Sequence, residues 1–187
     1  MNTNKFLVID FEFTCFDLET VVSEEYFPEV IEMGAVLFNP KTSCCEKTMR
    51  TFVKPVKNVC LSQYCKNLTT IKQNQVNSGM ELRDMLNLLT SLYDNNTYFC
   101  SWGDLDWYGL KKQCTEENVS FPFFFGKYID LSNQYKMFYN LDKPPSLYYA
   151  LRRWDLEFTG TPHRALYDAI NTVKIVQNMI SEGWHNK

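Results

Sequence analysis

The chain has 187 residues, 45% hydrophobic and 16% aromatic, with a formal net charge of −3 and a pI near 5.5. Such length and apolar content exclude a disordered chain and fit one domain with a sizeable core, expected to span residues 1–187. The acidic balance excludes the broad basic surface of a protein that coats duplex nucleic acid, so any nucleic-acid contact is expected to be local.

Seven cysteines include no C-x-x-C pair, and His163 and His185 are the only histidines, which argues against a structural zinc site. The odd cysteine count and the lack of a secretory leader fit reduced thiols, and a soluble, cytoplasmic protein is expected. The apolar run after MNTNK is cut by Asp10, far short of the roughly 20 residues that a membrane span needs.

Residues 5–14, KFLVIDFEFT, predict a buried strand that ends by presenting two carboxylates. Residues i and i+2 of a strand share a side, so Asp10 and Glu12 emerge together while Phe11 and Phe13 point the other way. Two like charges so placed need compensation, either an Arg or Lys for each or a divalent metal ion. Residues 16–29, with Asp17, Glu19, Glu24, Glu25 and Glu29, read as a solvated loop. Residues 30–38 predict a second strand, Asn39-Pro40 a turn, and residues 46–53 a third strand, giving an antiparallel meander.

Residues 60–76 suit short helical turns. Ser78 is expected to cap a helix carrying Leu82, Met85, Leu86, Leu89, Leu92 and Tyr93. Residues 97–102 predict a strand, parallel to its partner because a crossover helix leads to it. After Gly103, Asp104 or Asp106 opens a helix to Cys114; a strand at 123–131, a helix at 132–138 and another from Ser146 follow. The last helix shows the stripe Leu166, Ala169, Ile170, Val173, Val176, Met179 and Ile180, with His163 and Asp168 in its first turn. This order predicts an α/β, three-layer domain with a mixed central sheet flanked by helices.

Asp10, Glu12, Asp106 and Asp168, with His163, can all converge at one end of that sheet, where open α/β sheets place ligands. Oxygen-rich sites suit Mg²⁺ or Mn²⁺, and two such ions roughly 4 Å apart activate water and clamp phosphoryl oxygens. His163 then fits the role of general base in phosphodiester hydrolysis. Each residue also has a plainer reading: a strand-end salt bridge for Asp10 and Glu12, a helix-start acid for Asp106, a solvent-facing helical residue for Asp168. Lys111-Lys112 and Arg152-Arg153 read as solvated helix faces.

DFEFT at 10–14, SWGDLD at 101–106 and HRALYD at 163–168 resemble the three exonuclease motifs of the DEDDh superfamily. VIEMGAVLFN at 30–39 and YCKNLTTIKQNQV at 64–76 resemble its branch of enhancer-of-RNA-interference and sporulation-inhibitor-like exoribonucleases, so the likeness covers nearly the whole chain. The resemblance implies a ribonuclease H-like fold, two Mg²⁺ or Mn²⁺ ions, and release of nucleoside 5′-monophosphates from a nucleic acid with a free 3′ end, RNA by branch. It makes Asp10, Glu12, Asp106 and Asp168 metal ligands and His163 the base. Glu12 would also act in catalysis and touch the terminal sugar, with Phe13 and His163 beside the substrate.

Two residues depart from the branch. Phe13 stands where a small residue is common and is expected to narrow the nucleotide pocket; Thr70 replaces a glycine and is expected to alter a turn. A DNA-trimming or proofreading exonuclease, or a catalytically silent nucleic-acid-binding scaffold of the same fold, are the competing readings.

Overall fold

The computed structural model describes residues 4–20 and 26–186. Five strands, β1 (Lys5–Phe13), β2 (Val30–Asn39), β3 (Cys44–Phe52), β4 (Thr97–Ser101) and β5 (Tyr128–Asp130), form one sheet in the order β3-β2-β1-β4-β5. The β1–β2 and β2–β3 pairs are antiparallel, and the β1–β4 and β4–β5 pairs parallel. The expected meander and mixed sheet are both present, with β1 at the centre. Its apolar run is covered on both faces, as a central strand requires.

Alternation along β1 sorts its side chains between two cores. Leu7, Ile9 and Phe11 pack with α3 (Leu82–Thr90) and α4 (Leu105–Glu116) on one face. Phe6 and Val8 pack with α5 (Leu131–Phe138), α6 (Leu147–Arg152) and α7 (Ala165–Ser181) on the other. A smaller cluster seats α1 (Gln63–Thr69) and α2 (Gln73–Asn77) against Ile31 of β2. The result is the three-layer arrangement that the element order predicts.

Gly34 of β2 sets how closely α7 approaches this sheet. A Cβ there would lie 2.1 Å from the Leu166 nitrogen and 2.2 Å from the Ala165 carbonyl carbon. Only glycine admits the helix start at that distance.

Several boundaries differ from expectation, each for a local reason. Ser78 closes α2 by bonding back to Asn74, and Glu81 occupies the N-cap position of α3. Between them Met80 joins the sheet, donating to the Phe52 carbonyl at 3.0 Å and accepting from Lys54 at 2.9 Å, so the helix starts later. The strand expected over 123–131 is confined to Tyr128–Asp130, because a 3₁₀ turn, Phe125–Lys127, precedes it. Asp130 then caps α5 by accepting from the Asn133 N–H.

The acidic stretch 16–29 is only partly the solvated loop expected. Asp17 and Glu19 are exposed, whereas Glu29 is fully buried and accepts the N–H groups of Val56 and Lys57 at 2.6 and 2.9 Å. A carboxylate held by backbone donors tolerates burial that a loop residue ordinarily would not. Glu24 and Glu25 lie outside the described residues. Among the described residues, no helix is long and apolar enough to cross a membrane.

Candidate active site

The carboxylates gather where β4 ends and β1 continues. The β1–β4 pairing stops at Val8–Cys100, leaving the end of β1 without a neighbour on that side. After β4, Gly103 adopts φ of +100°, a left-handed turn suited to glycine, and the chain re-enters as α4. The first turn of α4 carries Asp106, whose Oδ1 accepts the buried Phe11 N–H at 2.9 Å. Asp106 thus replaces the missing strand with one hydrogen bond, inserted between Asp10 and Glu12. Asp104, the rival in register, is exposed.

Asp10 and Glu12 share the face of β1 that meets α7, and Asp168 comes from the first turn of that helix. One oxygen from each of the three lies within 4.8 Å of the others. The Arg164 N–H donates to Asp168 Oδ2 at 3.0 Å, which aims the other oxygen at β1. Phe11 and Phe13 do point to the opposite face, as alternation predicts. Phe13 packs edge-on to Phe11 and touches Gly109, where a Cβ would approach its ring to 2.9 Å.

His163 does not belong to α7. It sits two residues ahead of the helix, exposed, with φ of 58°, and Arg164 occupies the N-cap position. The expected helical placement gives way because a left-handed residue reverses the chain before the first turn. That reversal leaves the imidazole free of the helix packing while its charge still acts on Asp168.

Electrostatics separate this cluster from an ordinary salt-bridge network. Two carboxylates 4.8 Å apart repel by about 3 kcal/mol at an effective dielectric of about 20. Among the described residues, no Lys or Arg forms an ion pair with Asp10, Glu12, Asp106 or Asp168. Burial, then the Asp106, Glu12 and Asp168 charges, push the Asp10 carboxyl well above its ordinary value. Burial and the Asp168 and Glu32 charges raise Glu12 to about 9. Burial raises Asp106 to about 7 against the opposing Phe11 hydrogen bond, and Asp168 to about 6 against the Arg164 hydrogen bond and the His163 charge. A donor set of oxygens alone, crowded and without a counter-ion, fits a hard divalent cation.

One buried carboxylate in the same place is compensated, and sequence reasoning missed it. Glu32 lies opposite Glu12 in the β1–β2 register, is 0% exposed, and pairs with both donors of the Arg164 fork. The signal was available: a glutamate inside VIEMGAVLF has to find a partner once the strand is buried.

On the far side of Glu12, Phe13, Cys15, Phe16, Leu105, Tyr108 and Lys112 line an open groove of ≈ 720 Å³. Its walls are largely apolar and aromatic, with Lys112 and Asp17 as its charged groups. Aromatic faces of this kind stack on nucleobases. Of the other basic pair, Arg153 lies over the Tyr139 ring, 3.9 Å from its centroid, and Arg152 is exposed.

Residues 7–176 match the family model described as exonuclease, RNase_T. The chain is 36% identical over 179 residues to the probable 3′-5′ exonuclease KapD of Bacillus subtilis (strain 168), covering 94% of this chain and 84% of that one. It is 32% identical over 200 residues to ERI1 exoribonuclease 2 of Mus musculus, covering 95% of this chain and 28% of the mouse protein. Among solved structures, the nuclease domain of 3′hExo, a DEDDh family member bound to rAMP, superposes with a TM-score of 0.85 at 27% identity, covering 97% of this chain and 94% of that one.

Proposed function

We propose how this chain works from the fact that it belongs to the exonuclease family, as a 3′-to-5′ exonuclease of the DEDDh type. Members of this family work with divalent metal ions on nucleic acid. In this chain Asp10, Glu12, Asp106 and Asp168 would hold two ions, Mg²⁺ or Mn²⁺. Bound there, such ions make water a better nucleophile and neutralise charge building on the phosphoryl oxygens.

The protein's own groups do the rest. His163, exposed at the mouth of the carboxylate cluster, accepts the proton of the attacking water. Glu12 would contact the sugar of the terminal nucleotide as well as hold metal, while Phe13 and the groove beyond it would receive the base. Asp106 spends one oxygen on Phe11 and has the other for an ion, so its reach is fixed by the β1 backbone. Lys112 at the groove rim is placed to meet a phosphate.

RNA is the substrate class that the named relatives favour, ERI1 exoribonuclease 2 and the rAMP-bound 3′hExo domain among them. The observation that carries the hydrolytic reading is the carboxylate trio within 4.8 Å, with no Lys or Arg ion pair among the described residues. Oligonucleotides of one sequence, as RNA and as DNA, labelled at the 3′ or 5′ end, are to be incubated with Mg²⁺, Mn²⁺ or EDTA. The expected result is metal-dependent release of 5′-mononucleotides from the 3′ end, faster on RNA. Equal or faster cleavage of DNA would reverse the substrate assignment, and no shortening of either would reverse the enzymatic one.

A further inference from the structure

Glu32 and Arg164 form more than a pair of side chains. Arg164 Nε donates to Glu32 Oε2 at 3.0 Å and its Nη2 to Oε1 at 2.7 Å, and the backbone N–H of Ala165 adds a third bond to Oε2 at 3.1 Å. One carboxylate of β2 therefore holds both the side chain of residue 164 and the peptide that opens α7. Planar, bidentate contacts of this kind fix orientation as well as distance. Arg50 Nε stands further off, 3.5 Å from Oε1, at the rim.

The peptide held this way carries two groups of the site. Its neighbouring N–H, that of Arg164, aims Asp168 Oδ2 at 3.0 Å, and the residue just before it is His163 in its left-handed conformation. Glu32 in turn lies across the ladder from Glu12, so a carboxylate of the trio and the anchor of the helix start share one rung. Nothing in the proton transfer or the metal-holding set requires Glu32 or Arg164 as a ligand, since the guanidinium already occupies that carboxylate.

We propose that Glu32 and Arg164 are positioning residues of the exonuclease site, clamping the entry to α7 so that Asp168 and His163 face Glu12. The proposal rests on the functional reading above and adds to it the device that sets its geometry. Arg164→Lys keeps the positive charge and removes the fork; Glu32→Gln keeps the shape and removes the charge match. A pure fold staple would lower thermal stability and leave each folded molecule as active as before.

The test measures kcat and KM on a 5′-labelled RNA oligonucleotide per folded molecule, and separately Mn²⁺ binding by calorimetry without substrate. Outer contacts to metal ligands typically cost about 10–100-fold when removed. The expected result is a fall of that size in kcat with KM within about threefold, accompanied by weaker Mn²⁺ binding. The double variant should be no worse than the weaker single one, because the two residues act as a unit. Wild-type kcat per folded molecule together with wild-type Mn²⁺ affinity in both variants would overturn the proposal. Should the unaltered protein cleave neither RNA nor DNA, the functional reading fails on its own, while Mn²⁺ calorimetry still decides whether the clamp aims Asp168.

Discussion

Glu12 and Glu32 sit across one rung of the β1–β2 ladder, on the same face, 8% and 0% exposed, and the protein treats them oppositely. Glu32 receives a guanidinium and a backbone donor; Glu12 receives no cation among the described residues and is pushed up to about 9 by burial and its acidic neighbours. A carboxylate meant to hold structure is neutralised within the chain. A carboxylate proposed to hold an exchangeable ion is left without a cation among the described residues, and its repulsion is carried as a cost to metal-free stability.

The contrast breaks most visibly through paired substitutions. Asp10→Asn should reduce metal-dependent shortening to the EDTA background and raise the melting temperature of the metal-free protein, by removing one of the mutually repelling charges. Glu32→Ala should do the reverse to stability, lowering it by about 2–3 kcal/mol in urea unfolding, because the half-buried Arg164 guanidinium and the buried Ala165 N–H lose their shared acceptor. A fall in metal-free stability for Asp10→Asn would mean that the two carboxylates are not opposites after all.

His163→Ala sharpens the same division from the chemical side. It should lower kcat by about 10²–10⁴-fold while calorimetric Mn²⁺ affinity stays near wild type, since proton transfer and ion holding are assigned to different groups. Loss of Mn²⁺ affinity would move His163 among the ligands.

pH gives a graded version. Burial raises Asp168 to about 6, Asp106 to about 7 and Glu12 to about 9, above the roughly 4 of unfolded carboxyls. The folded, metal-free protein therefore binds more protons than the unfolded chain, and this stability is present below about pH 4 and lost as pH rises towards 9. Thermal melts from pH 5 to 9 should show that decline without metal and a flatter profile with excess Mg²⁺. A metal-free melting temperature rising over the same range would contradict the raised carboxyls.

The smallest effect lies outside the carboxylates and serves as their control. Thr70 closes α1 in the left-handed region, φ 61° and ψ 7°, where the related branch commonly carries glycine. A β-branched residue is strained there, so Thr70→Gly should stabilise the protein by about 1 kcal/mol with cleavage unchanged. The turn closes with the Thr70 N–H bonded to the Lys66 carbonyl at 3.0 Å.

Much of this was legible in the chain because period 2 and period 3.6 are local signals. KFLVIDFEF announced the central strand and the side on which Asp10 and Glu12 emerge, and the Leu166–Ile180 stripe announced the last helix. What escaped was set by partners distant in sequence. Glu32 and Arg164 meet across 132 positions, and Glu29 is held by residues more than 25 positions away. Ser78 looks like a cap until Met80 is seen to join the sheet, and no periodicity encodes the left-handed turn at His163.

Gly34 stands opposite Asp10 in the ladder, and the start of α7 rests on its bare backbone. The separation between the Asp10 and Asp168 carboxylates is thus gauged by a methyl group that is missing on the adjacent strand, across the ladder from Asp10 itself. A side chain at position 34 would push back the helix start that carries Asp168 without altering either carboxylate.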